Sequence, residues 1–504
     1  MKLLAVFAPS QDVRDRFFST MPTSLAWALA PLIAEVDRGN LPEVEYAPKI
    51  FDPLRIQPTI WEEYQILLES ERPDVLLISS TYDSHFTAIH LATMTRRFNP
   101  EVLVIYGGPH VDEVANRKVI SVMPQTYPFN ETGCPFDILV KGDGELVLLY
   151  LIRELGNKKG RQVLLEYLNT SEARMAFTCI PGTFEVHARM MNGEVQVITG
   201  TGLPLNLSQL PFMPRKLFGH DLDLYGFSCF REQRANSTFK LLPSTSTMLH
   251  RGCRSLCIFC SERGGYLARS LDHIAAELDE LVKAGIKGVF FDDSTFGDHE
   301  GFDELLACLR SFPLQYGSLN RFDALQDASF VEKLAKGGFA YQYCAIEQFS
   351  DSVLKASAKG QRIEEIRRGI ENLRASGMQL GTSLLFGFPA ETEASVNATL
   401  DFVAEVEKLG ILSCVSMSLY SYHPNTPLTL GTREGEQMHS LLHYDREPPN
   451  QGEPWNCFEE GQWFHPSWLA AERVNYIHHQ AQQRIGSKLV RNMRKDGDAF
   501  RGVK

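Results

Sequence analysis

From residue 241 onward the sequence repeats one phrase: an amphipathic helix, a glycine, then a short apolar strand. Leu271, Ile274, Leu278 and Leu281 mark one face of a helix that should close near Gly285, and Gly288–Phe291 follows as a strand. The phrase returns with Gly338 before Tyr341–Ile346, Gly377 before Gln379–Phe386 and Gly410 before Leu412–Tyr420. A residue just past a helix often adopts the left-handed conformation, which glycine reaches without a Cβ penalty. Strands expected near 243–249 and 315–320 bring the count to six strand–helix units. Such alternation builds a parallel sheet with helices outside, so residues 241–430 are predicted to form a partial (β/α)6 barrel. Chemistry in barrels belongs at the carboxyl ends of the strands.

Residues 1–155 alternate as well. Leu3–Ala8, Val75–Ser79, Val102–Tyr106 and Ile138–Lys141 read as strands, and Leu25–Val36 and Ala88–Phe98 as helices. Apolar strands without polar alternation are covered on both faces, which makes this a Rossmann-like (flavodoxin-like) α/β domain. Its ligand edge would hold Ser79-Ser80-Thr81, Gly107-Gly108-Pro109-His110 and Gly142-Asp143-Gly144-Glu145. Residues 156–240, punctuated by Pro181, Pro204, Pro211 and Pro214, read as a connecting segment with a few short strands. Residues 431–504 read as a C-terminal helical cap over the barrel mouth, with a helix from Ser467 to Val490. The aromatic cluster there (Trp455, Trp463, Phe464, His465, Trp468) would line a dry pocket or form a small core for that helix.

Length and composition narrow the class. A chain of 504 residues fits about three domains at ~150 residues each, and 44% hydrophobic with 22% charged residues is ordinary for globular protein. A net charge of −12 argues against a nucleic-acid partner held by phosphate neutralisation. No apolar run is long enough to span a bilayer, so no membrane partner is expected. Met1–Ala8 loosely mimics a secretory signal, but Arg14, Asp15 and Arg16 follow at once without a small-residue cleavage site. Ten cysteines, three of them crowded into positions 253–260, suit a reducing compartment with one thiolate site, and a cytoplasmic location is expected.

Cys253, Cys257 and Cys260 form C-x3-C-x2-C just after a predicted barrel strand. Three thiolates on one loop can hold three irons of a 4Fe–4S cluster and leave the fourth iron open to a ligand. The competing arrangement is a closed zinc site in which His250 supplies the fourth ligand. The loop, with Phe259 just before its last cysteine, resembles the signature of the radical S-adenosylmethionine (radical SAM) superfamily. The resemblance implies that the methionine amino and carboxyl groups of S-adenosylmethionine chelate the open iron. One electron then splits the sulfonium to a 5′-deoxyadenosyl radical, supplied by a donor such as flavodoxin or ferredoxin. It also assigns S-adenosylmethionine contacts to Asp292 and Asp293 after the second strand, Arg321 after the third and Glu347 after the fourth. Gly387 and Glu391 follow after the fifth, and Pro424–Leu428 resembles the family's Pro-Gly-Thr-Pro-Leu turn with Asn425 in the glycine position.

The first 155 residues resemble the cobalamin-binding domain often fused in front of such barrels. The resemblance gives Ser80, Thr81, Gly107, Gly108, Pro109, His110, Gly142 and Glu145 as cobalamin contacts. Without it, the same pattern describes a flavodoxin-like domain that binds nothing. Asp83-Ser84-His85 superficially matches the sequence whose histidine ligates cobalt in some cobalamin proteins, but it follows the serine-rich turn instead of preceding it. No histidine occurs between Met1 and Tyr82, so no protein ligand below the cobalt is expected.

These resemblances imply a cobalamin-dependent radical methyltransferase acting on an unactivated carbon of a small molecule or natural-product intermediate. A cobalamin-dependent cyclase or rearrangement enzyme without methyl transfer is the alternative, and a non-catalytic cobalamin or metal sensor is a third. Methylthio transfer is disfavoured because that family carries three further N-terminal cysteines, whereas the first cysteine here is Cys134.

Overall fold

The computed structural model describes residues 1–8, 23–42, 44–46, 60–81, 84–122, 127–130, 133–158, 160–200, 202–218, 229–233, 239–262, 264–420, 423–431, 471–486 and 489–491. They fall into two compact units, one drawn mainly from residues 1–220 and the other from 221–435 with the C-terminal helix.

The first unit is a seven-stranded sheet of β1 (Lys2–Phe7), β2 (Glu45–Tyr46), β3 (Val75–Ser79), β4 (Leu103–Gly107), β5 (Ile138–Gly142), β6 (Phe184–Arg189) and β7 (Val195–Thr199), in the order 2-1-3-4-5-6-7. Strands β1 to β5 are parallel, and their order is that of flavodoxin-like sheets. Every residue of β3 is buried, which explains its unbroken apolar run. Asp137, at the entry to β5, is held by Val104 N at 2.8 Å, by Arg161 at 2.7 Å and by Arg96. That buried triad locks β5 to β4 and to the helix His85–Phe98.

The stretch read as a connecting segment contains more structure than its prolines suggested. The helices Arg161–Leu168 and Ser171–Phe177 lead into β6 and β7, which extend the same sheet antiparallel. Val186, Ala188 and Ile198 are buried on one face while Val197, between, is exposed on the other, the half-covered pattern of an edge hairpin.

The second unit contains β8 (Arg231–Gln233), β9 (Phe239–Leu241), β10 (Ser244–Thr247), β11 (His250–Cys253), β12 (Gly264–Ala268), β13 (Gly288–Phe291), β14 (Gln315–Asn320), β15 (Phe339–Cys344), β16 (Gln379–Phe386), β17 (Leu412–Leu419) and β18 (Leu489–Arg491). Strands 10-13-14-15-16-17-18 form one parallel sheet in that order, while 8-9 and 11-12 are antiparallel pairs. Gly285, Gly338, Gly377 and Gly410 all have φ between 75° and 92°, as the repeated phrase required. Alternate residues face the helices (Val289, Phe291, Tyr316, Phe339, Leu384) or the inside of the sheet's curve (Phe290, Tyr341, Tyr343, Cys414). Phe230, just before β8, packs into that inner cluster. A Cβ on Gly288 would lie 2.5 Å from its ring, and one on Gly317 would lie 3.3 Å away.

The C-terminal helix, described over Ala471–Ile485, ends earlier than the Val490 expected, and β18 follows it as a seventh parallel strand beside β17. Ile477, Ala481 and Ile485 are buried against the barrel core, with Tyr476 and Arg484 bonded to Asn397 in the helix Glu393–Lys408. The described part of this segment therefore belongs to the barrel wall. Residues 432–470, with Trp455, Trp463, Phe464, His465 and Trp468, lie outside the described residues. Among the described residues no helix is long and apolar enough to cross a membrane.

Candidate functional site

The cysteine loop is carried on the β11–β12 hairpin, which follows β10 directly. The hairpin register slips between Arg251 and Cys253, where Gly252 and Gly265 take φ of 91° and 74°. A bulge of this kind re-aims a side chain. Arg269, at the exit of β12, anchors the hairpin: it bonds Met248 O at 2.7 Å and pairs with buried Glu277 at 2.6 Å. Asp293 anchors the entry, accepting from Leu249 N at 2.8 Å and His250 N at 2.6 Å. Further along, Ile258 N donates to Ser357 O at 3.1 Å, and Ile258 O accepts from Leu428 N at 3.0 Å.

Cys257 is buried at 6% exposure, and Cys253 and Cys260 are half-buried. Burial pushes the Cys260 thiol up to about 11, with the neighbouring Cys257 and Cys253 adding to the effect. A coordinating metal would deprotonate such a thiol outright. Among the described residues no three His, Cys, Asp or Glu side chains gather closely enough to hold one metal ion. A cluster needs no such convergence, because each thiolate takes a different iron. His250, the fourth ligand that zinc would need, lies with Nε2 3.1 Å from Thr295 O and 3.7 Å from Asp293 Oδ1. The donor set thus fits an iron–sulfur cluster with an open iron.

Around the loop the remaining barrel residues divide into two groups. Phe259 meets Phe388 edge-on at 5.2 Å, with the Lys359 ammonium 5.9 Å from its ring. Arg321 Nη1 stands 3.8 Å from Cys257 Sγ. Glu347 follows β15 with its backbone in the left-handed region, φ 55°, and its carboxylate 3.0 Å from Lys359 Nζ. Both side chains are only 9% exposed. Asp292 is half-buried next to the strand end, its amide bonded to Thr247 O at 2.9 Å.

Asp293 and Glu391 have structural bonds instead. Burial raises both carboxyls above the usual range, Asp293 against the pull of His250 and the loop amides. Glu391 accepts from Gly387 N at 2.8 Å, from Arg473 at 2.8 Å and from Gln348. It holds the turn at Gly387, where φ is 101°. Lys359, Gln348 and Arg473 are site residues that sequence reasoning missed. None lies in a recognisable spacing, and Arg473 meets Glu391 from 82 positions away.

In the first unit, the strand ends of β3, β4 and β5 bring together the serine and glycine turns. Gly108 has φ 96°, and a Cβ there would sit inside contact distance of Ser79 Oγ and 3.0 Å from Ser80 N and O. Ser80 is buried and bonded to the Tyr106 hydroxyl, and Thr81 N donates to Ser84 Oγ at 3.1 Å. His110 N donates to Ser80 O at 3.1 Å, and its ring stacks on His85 at 4.4 Å. Gly107 and Pro109 flank Gly108 on this turn, with Pro109 opening the helix Pro109–Val114. Gly142, φ 80°, donates to Asp112 at 2.7 Å, and Glu145 is buried at the start of the next helix. The Gly108 turn thus packs directly on the Ser79–Ser80 turn, an approach that only a residue without a Cβ allows.

Residues 247–403 match the Radical SAM superfamily. The chain is 26% identical over 421 residues to an uncharacterized methyltransferase of Pyrococcus horikoshii, covering 81% of this chain and 78% of that relative. It is 28% identical over 202 residues to the tRNA-2-methylthio-N(6)-dimethylallyladenosine synthase of Magnetococcus marinus, covering 36% of this chain and 44% of that one. In fold it resembles the radical S-adenosylmethionine methyltransferase TsrM from Kitasatospora setae, solved with cobalamin and a 4Fe–4S cluster. That likeness has a TM-score of 0.62 at 17% identity, over 98% of this chain and 91% of that chain. The cobalamin-dependent S-adenosylmethionine radical enzyme OxsB, solved with aqua-cobalamin and S-adenosylmethionine, matches with a TM-score of 0.60 at 15% identity, over 95% of this chain and 66% of that chain. Residues 247–403 thus carry a Radical SAM superfamily domain, in a chain with the fold of the radical S-adenosylmethionine methyltransferase TsrM and of OxsB.

Proposed function

We propose that this chain is a cobalamin-dependent radical SAM methyltransferase that methylates an unactivated carbon of a small molecule or natural-product intermediate. The observation that carries this reading is the three-thiol loop on a barrel-edge hairpin, in a chain whose other unit packs its serine and glycine turns together at the carboxyl end of a flavodoxin-like sheet. The likeness in fold to TsrM and OxsB over nearly the whole chain supports it.

When bound, the cluster supplies the electron that cleaves S-adenosylmethionine, and cobalamin carries the methyl group. Cys253, Cys257 and Cys260 hold the cluster. Glu347 accepts the methionine ammonium, a charge-assisted bond for which Lys359 is the present partner. Asp292 offers a second carboxylate at the end of β13, two strands away in the sheet. Phe259 and Phe388 wall the loop against water. Gly387, in the turn that Glu391 ties down, admits close approach of the adenosyl group. Ser80, Thr81, Gly107, Gly108, Pro109, His110, Gly142 and Glu145 border the cobalamin edge. The proposed partners are a small-molecule substrate and a flavodoxin- or ferredoxin-type reductant, with no nucleic acid, in the cytoplasm.

Anaerobic reconstitution with cobalamin and methyl-labelled S-adenosylmethionine tests the reading. Label recovered in a product supports methyl transfer. S-adenosylmethionine cleavage with an unlabelled, cyclised or rearranged product would move the protein to the non-methylating class. Cobalamin binding without any cleavage would make it a sensor.

A further inference from the structure

The three cysteine sulfurs do not share one environment. Arg321 Nη1 points at Cys257 Sγ from 3.8 Å. The rest of its guanidinium is fixed: Nε bonds both oxygens of Asp323 at 3.1 and 3.2 Å, and Nη2 donates to Lys359 O. At Cys253 the Thr295 hydroxyl lies 3.6 Å from the sulfur. Cys260 Sγ instead faces the Glu262 carbonyl at 3.5 Å, an acceptor that offers a thiolate nothing.

We propose that Arg321 is a positioning residue that donates an N–H···S bond to the Cys257 thiolate and raises the reduction potential of the cluster. Taking up an electron makes a cluster more negative. A cation and a hydrogen-bond donor fixed beside one of its sulfurs therefore stabilise the reduced form more than the oxidised one. The Arg321 side chain is 12% exposed, so little water or salt screens the charge. The family resemblance assigned Arg321 to S-adenosylmethionine. Its geometry gives it a thiol partner on one side and leaves its other nitrogens occupied. The inference rests on the cluster reading above.

The test is an EPR-monitored dithionite titration of the reconstituted full chain, comparing wild type with Arg321→Gln and Arg321→Lys. Arg321→Gln should make reduction about tenfold less favourable, which for one electron is a shift of about 59 mV to more negative potential. Arg321→Lys, which keeps the charge and loses the fork, should fall between. If Arg321→Gln does not fold, a potential for Arg321→Lys equal to wild type overturns the proposal by itself. Unchanged potentials with a raised KM for S-adenosylmethionine would return Arg321 to a substrate contact. Failure of the wild-type chain to bind iron and sulfide in equal amounts would defeat the cluster reading itself, a result distinct from a cluster that assembles with an unmoved potential.

Discussion

Glu347 holds a backbone conformation that non-glycine residues rarely adopt, at φ 55°. A residue in that region costs of order 1–3 kcal/mol and persists when its surroundings enforce it. Here Ser383 O accepts from Glu347 N at 3.0 Å, and Glu347 O accepts from Leu385 N at 3.1 Å, clamping the residue against β16. The carboxylate is thereby aimed before any ligand arrives. Two further residues carry predictions. Cys257→Ala should abolish the cluster absorbance of the reconstituted protein and all 5′-deoxyadenosine formation, while cobalamin binding stays within about twofold of wild type. Loss of both cofactors together would show that the two sites are interdependent. Gly108→Val should do the reverse. The added Cβ collides with Ser79 and Ser80, and φ 96° is unfavourable for a β-branched residue. Cobalamin retention on gel filtration should drop at least tenfold with the iron content unchanged.

At the scale of elements, Phe230 binds a loop to the inside of the barrel sheet. Its ring fills space opened by Gly288 and Gly317. Phe230→Ala should destabilise the second unit by about 3–5 kcal/mol, seen as a lower urea midpoint with an unchanged slope. A change under about 1 kcal/mol would mean that the site collapses around the missing ring. Four of the barrel strands, β13, β15, β16 and β17, were legible because each is preceded by a glycine that closes a helix. β6 and β7 were not, because an antiparallel edge hairpin alternates its side chains and here lies among prolines and glycines. β18 was hidden for another reason. Gly486 repeats the closing glycine, but Leu489–Arg491 is three residues long, too brief to separate from the preceding helix. Within the site, Cys253, Cys257, Cys260 and Glu347 were legible from spacing and from their place at strand ends. Asp293 and Glu391 were located correctly, but their bonds hold loops, and chain order says nothing about what a carboxylate's oxygens touch. Lys359 and Arg473 reach the site only through the fold.

For the whole molecule, each unit has its own core, one around Leu4, Val6, Ile78 and Tyr106 and the other around Val289, Phe291, Tyr316 and Leu384. Two cores allow two melting events. Scanning calorimetry should resolve two transitions, and Phe230→Ala should move one of them. A single transition shifted as a whole would show that the units unfold as one. The barrel sheet also draws its last strand, and the arginine that reaches Glu391, from the far end of the chain. During synthesis the cysteine loop, made some two hundred residues earlier, emerges while the barrel sheet is still missing its final strand. Nascent protein therefore passes through a stage in which all three thiols are already made while the barrel sheet is one strand short, and a chain stalled before residue 489 would carry its cysteine loop on that unfinished sheet.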